Sequence, residues 1–165
     1  MIPKSVQKYL EKIEVAAEAV AHKTVFTAYD LAQTTGMKLE TIAKTILIKV
    51  EPHYGERRSK FVIAVLPASH QLDFAKLKKV MGVKKVSIPK ETVMTAVYKV
   101  KAGALTAFGP IHKETPVVID KALMKSKIIV VRSGSFTESL LMKGKDFLKA
   151  TKGELAVFAK RVKKG

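Results

Sequence analysis

The sequence predicts a single α/β domain whose sheet is mixed and strongly curved, with helices flanking it. Three observations carry this expectation. The stretch Ala43-Lys44-Thr45-Ile46-Leu47-Ile48-Lys49-Val50 is apolar almost without alternation from Ile46 onward, the pattern of a central strand buried on both faces. Further apolar runs at 61–66, 117–119 and 128–131 have the length of strands and fall far short of the roughly 20 residues that a membrane helix takes. Helix signals fall between the strand signals in mixed order, as an α/β layer arrangement requires. With 165 residues, the chain can bury roughly 70% of its unfolded surface without help from a disulfide or a metal.

Taken in order, residues 3–12 read as a helix with Val6, Leu10 and Ile13 on one stripe and Pro3 in the first turn. Residues 15–22 are alanine-rich and alternate weakly; helix and strand both suit the pattern, and strand is our reading. Thr27 is placed as the N-cap of a helix running to Thr35, with Gly36 as its stop. A short helical turn from Leu39 leads into the strand at 43–50. Pro52, Gly55, Arg57 and Arg58 mark 51–59 as an exposed hairpin loop, from which strand 61–66 returns. Asp73 caps a helix that sets Phe74, Leu77 and Met81 on its buried side and Lys76, Lys78 and Lys79 on the other. Strand 84–88 and a helix after Pro89 follow. Beyond the segment 103–109 come strands 117–120, 128–132 and 140–143, the bend Ser133-Gly134-Ser135, a helix at 145–149 and a strand at 155–159. Lys160, Arg161, Lys163 and Lys164 form a basic tail, 160–165, read as frayed. The sequence has no internal repeat, low-complexity segment or second-domain signal.

Charge narrows the function. Lys and Arg number 31 against 14 Asp and Glu, a formal net charge of +17, and such a surface attracts polyanions through release of condensed counterions. Aromatic residues make up only 7% and Trp is absent, which favours backbone or shape recognition of a folded RNA over base stacking along a single strand. The N-terminal region carries no signal-peptide pattern and the sequence contains no Cys, so a cytoplasmic protein without zinc-ribbon or thiol chemistry is expected. His22, His53, His70 and His112 are dispersed without metal-ligand spacing, so they read as ordinary histidines and neither metal nor cofactor is expected. Ser133 lacks the glycine two residues earlier that a nucleophile elbow needs, since Val131 is there. Paired carboxylates suited to acid–base work are not evident. Lys44, at the mouth of the central strand, suits an anchor for an anionic ligand held on a rigid element; the same position also suits a solvated strand end. Lys76, Lys78, Lys79, Lys84 and Lys85 make the best-defined basic face. The two glycines of 103–109 allow tight turns and close backbone approach to a ligand.

The ordered motifs His22, Thr27, Gly36 and Ala43-Lys44-Thr45-Ile46, then Leu72-Asp73-Phe74-Ala75-Lys76-Leu77 and Lys84-Lys85-Val86, then Gly103, Leu105, Thr106, Phe108 and Gly109, then Val118-Ile119-Asp120 and Ser133-Gly134 together resemble the YbaK and ProX-like family of aminoacyl-tRNA deacylases. That family is related to the editing insertion domain of bacterial prolyl-tRNA synthetases. Ala104 and Ala107 depart from the family's second glycine and its proline, and Ala19 and Val20 occupy the neighbourhood where cysteine-specific members carry a tyrosine. The resemblance implies a barrel-like sheet and a freestanding hydrolase that removes a mischarged small amino acid, alanine first, from tRNA such as that for proline. It implies Lys44 as the holder of the 3′-terminal adenosine or its phosphate, and Gly103 as the residue whose main chain orients ester and water. Thr27, Thr45, Thr106, Gly109, Ser133 and Gly134 would line the substrate site, and Lys76, Lys78, Lys79, Lys84 and Lys85 would contact tRNA. Its partners would be tRNA and prolyl-tRNA synthetase, with no membrane. The alternatives are a deacylase for cysteine, serine or threonine, a catalytically degenerate RNA-binding protein, and a basic factor bound to the ribosome.

Overall fold

A computed structural model describes residues 2–101 and 103–162. In chain order its elements are α1 (Lys4–Lys12), β1 (Glu18–Ala21), α2 (Ala28–Thr35), β2 (Ala43–Tyr54), β3 (Ser59–Pro67), β4 (His70–Leu72), α3 (Phe74–Met81), β5 (Lys85–Ser87), α4 (Glu91–Val93), β6 (Val117–Asp120), β7 (Ile128–Arg132), β8 (Glu138–Lys143), α5 (Gly144–Thr151), β9 (Glu154–Ala156) and β10 (Ala159–Arg161), joined by loops and short 3-10 or π turns. The central sheet is mixed and five-stranded, in the order β5-β2-β3-β6-β9. Its β5–β2 and β2–β3 pairs are antiparallel, whereas β3–β6 and β6–β9 are parallel. A three-stranded antiparallel sheet, β1-β8-β7, and a two-stranded one, β10-β4, complete it.

The apolar runs explain the layering. Along β3, Ile63 and Val65 join one core with Ala43, Leu47, Val117 and Ile119, closed over by α1, α5 and the three-stranded sheet. The alternate residues Val62, Ala64 and Leu66 join a second core with Ile48, Val50, Leu77, Met81 and Phe158. Each of the Val, Leu, Ile, Met and Phe side chains among these contributes about 1.5–3 kcal/mol when fully buried, so a strand that is apolar on both faces requires a packed layer on each side. This is why the barrel-like expectation is not supported. An open sheet with cover on both faces satisfies β2, β3 and β6, and among the described residues no sheet is closed or strongly curled. The five- and three-stranded sheets meet through one isolated parallel bridge, Ile42 to Val130.

Three features differ from the sequence reading for identifiable reasons. β2 runs on to Tyr54 because Lys49, Val50 and Glu51 also pair with β5, which leaves only 55–58 as the turn. Phe74 is 43% exposed; it shares the stripe of Leu77 and Met81 but, as the first residue after the Asp73 cap, is left partly uncovered. The last predicted strand is two strands. The backbone N–H groups of Phe158 and Ala159 donate to buried Asp120 Oδ1 at 2.8 and 2.9 Å, so the chain leaves the central sheet after Ala156 and re-pairs with β4. Lys160 and Arg161 therefore lie in an ordered strand, whereas Lys163 and Lys164 fall outside the described residues.

Candidate functional site

Three loops converge beside the N-terminus of α2. Thr27 caps that helix: its backbone is extended and its Oγ1 accepts from the Asp30 N–H at 3.0 Å. Between β7 and β8, buried Ser133 donates to the Glu138 carbonyl at 2.6 Å and accepts from the Ser135 N–H at 3.2 Å, which shapes the bend that carries Ser135 and Phe136. Gly103 adopts φ +84°, a conformation that L side chains rarely take. The segment after it is anchored rather than open. Leu105, Thr106, Ala107 and Phe108 are all buried, and the Thr106 N–H and hydroxyl both meet His112 Nε2, at 3.3 and 2.7 Å.

These loops, with the start of β2, enclose a cavity of about 30 Å³ lined by His22, Val25, Phe26, Thr27, Ala28, Leu31, Ile42, Ala43, Gly103, Val130, Arg132, Ser135, Phe136 and Ser139. Its polar groups are fixed by one another. The Arg132 guanidinium donates to the Gly103 carbonyl and, at 3.4 Å, to the Phe26 carbonyl, tying the glycine loop to the segment before α2. Burial lowers its pKa from the usual value, yet an arginine remains charged. Among the described residues no carboxylate pairs with it. His22 Nδ1 lies 2.7 Å from the Lys23 carbonyl and Nε2 lies 2.8 Å from Ser139 Oγ. A carbonyl only accepts, so Nδ1 carries a proton and donates to it. Phe26 and Phe136 form an aromatic lip, with ring centroids 5.0 Å apart.

Of the residues expected at the site, the structure brings Thr27 and Gly103 together in this cavity. Ser133 and Gly134 shape the adjoining bend but do not line it. Thr106 and Gly109 are buttresses: Thr106 is bonded to His112, and a Cβ on Gly109 would fall 2.1 Å from the Thr115 carbonyl oxygen. Thr45 is not among the lining residues, and its buried Oγ1 has no hydrogen-bond partner among the described residues. Ala43 lines the cavity, but Lys44, the next residue, projects from the opposite face of β2 and donates from Nζ to the His70 carbonyl at 3.0 Å. Burial lowers its pKa as well. Ser69, the residue before His70, helps to line a larger groove of about 720 Å³ with Tyr29, Leu39, Glu40, Ala68, Arg161 and Val162. Lys76, Lys78, Lys79, Lys84 and Lys85 are all exposed and none lines the cavity. Sequence reasoning missed Arg132, the His22–Ser139 pair and the aromatic lip. Arg132 had a usable signal, because it ends an apolar strand as Lys44 begins one.

His112 supplies a pH prediction for the segment behind Gly103. It is 8% exposed, and burial pushes its pKa down to about 4 from the usual 6.5. Above pH 6.5 the ring is neutral both folded and unfolded. Between pH 6.5 and about 4 the unfolded chain takes up a proton that the folded one does not, so stability falls by an amount on the order of 3 kcal/mol. The melting temperature is expected to drop across that window, and His112→Gln is expected to flatten this part of the profile.

The chain matches the aminoacyl-tRNA editing domain family over residues 22–150. Among solved structures, one described as a candidate trans-editing enzyme for prolyl-tRNA synthetase superimposes with a TM-score of 0.79 at 17% identity, covering 95% of this chain and 96% of that one. A hypothetical protein gives 0.81 at 16% identity over 94% and 99% of the two chains, and a scaffold protein used for epitope grafting gives 0.78 at 19% over 96% and 97%. At such identities these likenesses bear on the fold alone. No curated protein matches the chain in sequence.

Proposed function

This chain belongs to the aminoacyl-tRNA editing domain family, and we propose that it is an aminoacyl-tRNA deacylase that removes a small amino acid, alanine first, from mischarged tRNA for proline, acting in trans in the cytoplasm. The observation that carries the choice of amino acid is the cavity beside Gly103. A space of about 30 Å³ compares with the roughly 10–15 Å³ that one water position needs. A methyl or hydroxymethyl group enters such a space, whereas a pyrrolidine ring clashes, and exclusion by clash discriminates more strongly than the 1–3 kcal/mol of a missing methylene.

In this reading the acyl group occupies the cavity and the Gly103 main chain orients the ester and the attacking water. Lys44, on the other face of β2, holds the terminal adenosine or its phosphate. Orientation together with fixed charge and backbone dipoles supplies rate without a titrating side chain. That the tRNA is the one for proline, with prolyl-tRNA synthetase as a partner, is what the motif resemblance to the YbaK and ProX-like family implies, and it is carried here as part of the proposal. Incubation with tRNAs carrying alanine, serine, threonine, cysteine and proline tests the proposal: alanine is expected to be released fastest and proline spared. Release from none of them, despite tight tRNA binding, would favour an RNA-binding protein, a reading that the +17 charge also supports.

The basic face carries its own prediction. If Lys76, Lys78, Lys79, Lys84 and Lys85 each neutralise a phosphate, the slope of log affinity for tRNA against log salt is about −4, at roughly −0.7 to −0.9 per contact. Reversing Lys78 and Lys79 to Glu is expected to lower the slope and weaken binding while leaving the order of amino-acid preference unchanged. A slope near zero in binding titrations would remove these lysines from the interface.

A further inference from the structure

We propose that Arg132 makes an anion site in the cavity wall, which takes the carbonyl oxygen of the acyl ester as it becomes an oxyanion and afterwards the carboxylate of the released amino acid. The first half of this proposal rests on the deacylase reading; the second does not depend on turnover. A guanidinium offers five N–H donors in a planar fork. Two interactions, with the Gly103 and Phe26 carbonyls, are made, and among the described residues no carboxylate neutralises the charge. Burying a cation against carbonyl dipoles alone leaves its attraction for an anion largely unspent. The cavity that Arg132 lines is small and mostly apolar, with Val25, Leu31, Ile42 and Val130 among its walls, so an anionic oxygen entering it exchanges water for a preorganised cation.

The chemistry follows from that placement. Water adds its oxygen to the ester carbonyl carbon and gives up a proton, and the carbonyl oxygen receives the electron pair. On collapse the bond to the ribose oxygen breaks, that oxygen takes up a proton, and the amino acid leaves as a carboxylate with one proton released to solvent. Arg132 faces the same oxygen throughout, first as an oxyanion and then as half of a carboxylate. Its bond to the Gly103 carbonyl makes it the positioning residue for the glycine loop as well.

The test compares L-alanine with L-alaninol, which keeps the side chain and the ammonium group but lacks the carboxylate. In an NMR titration of the whole protein, L-alanine is expected to shift the Gly103 amide and Arg132 Nε–H signals saturably, with L-alaninol weaker by about tenfold or more. Arg132→Gln is expected to abolish that difference and to slow single-turnover deacylation by about 10²–10³-fold, with the half-saturating tRNA concentration little changed. Arg132→Lys keeps the charge without the fork and recovers only part of the rate. Equal affinity of the parent protein for alanine and alaninol, or a parental rate for Arg132→Gln, overturns the proposal. If Arg132→Gln fails to fold, the parent's preference between the two ligands decides. A protein that prefers L-alanine through Arg132 yet releases no amino acid from any tRNA keeps the anion site and loses the deacylase reading.

Discussion

Lys44→Ala is expected to lower deacylation by at least about 10²-fold while changing stability by no more than about 0.5 kcal/mol. The half-buried ammonium donates to the His70 carbonyl at 3.0 Å, and among the described residues it has no carboxylate partner. Burial lowers its pKa, the mark of a cation that has given up water without gaining an anion. A terminal phosphate would supply that anion and fix the acyl end relative to the cavity one residue away. Lys44→Arg separates charge from shape: the planar fork does not reproduce a compact ammonium, so little activity should return. Parental single-turnover rates for Lys44→Ala, with an unchanged melting temperature, would remove this residue from the site.

Gly103→Val is expected to eliminate turnover altogether. At φ +84° a Cβ on residue 103 lies 3.4 Å from Phe136 Cε1, 3.5 Å from Arg132 Nη1 and 3.6 Å from the Phe26 carbonyl oxygen. These are ordinary contact distances, so alanine is accommodated sterically and bears only the left-handed backbone cost of about 1–2 kcal/mol. Valine adds two methyl groups among those same three neighbours, within a cavity that has room for only a small side chain. Gly103→Ala should therefore retain a measurable fraction of activity, whereas Gly103→Val retains none and still binds tRNA. Equal rates for the two variants would show that acyl groups do not use this cavity.

Much of the fold was legible because it follows from local rules. The capping residues Thr27 and Asp73, the left-handed stop at Gly36, and the two-sided apolar strands all lie where the sequence puts them. The open sheets were not legible, because whether a curved sheet closes depends on what covers its outer face, and α3 with Phe158 provides that cover. The split between β9 and β10 depends on Asp120, a contact 38 residues away in sequence, which no local pattern reports. Thr27 and Gly103, which line one cavity, were named from the order of motifs within a resemblance. Arg132 was not, since its meaning lies in two carbonyls from distant loops. Nor was the His22–Ser139 pair, separated by 117 positions. Lys44 was legible as a cation at a strand mouth, but the face it takes follows from strand alternation: Ala43 turns to the cavity and Lys44 away from it.

The central claim is that an ester joining a small amino acid to tRNA is cleaved in the cavity beside Gly103. Single-turnover release of alanine from alanyl-tRNA for proline, with the protein in saturating excess, tests it most directly. The account predicts release at least about 10²-fold faster than spontaneous hydrolysis, and release at the spontaneous rate from tRNA that is demonstrably bound would contradict it.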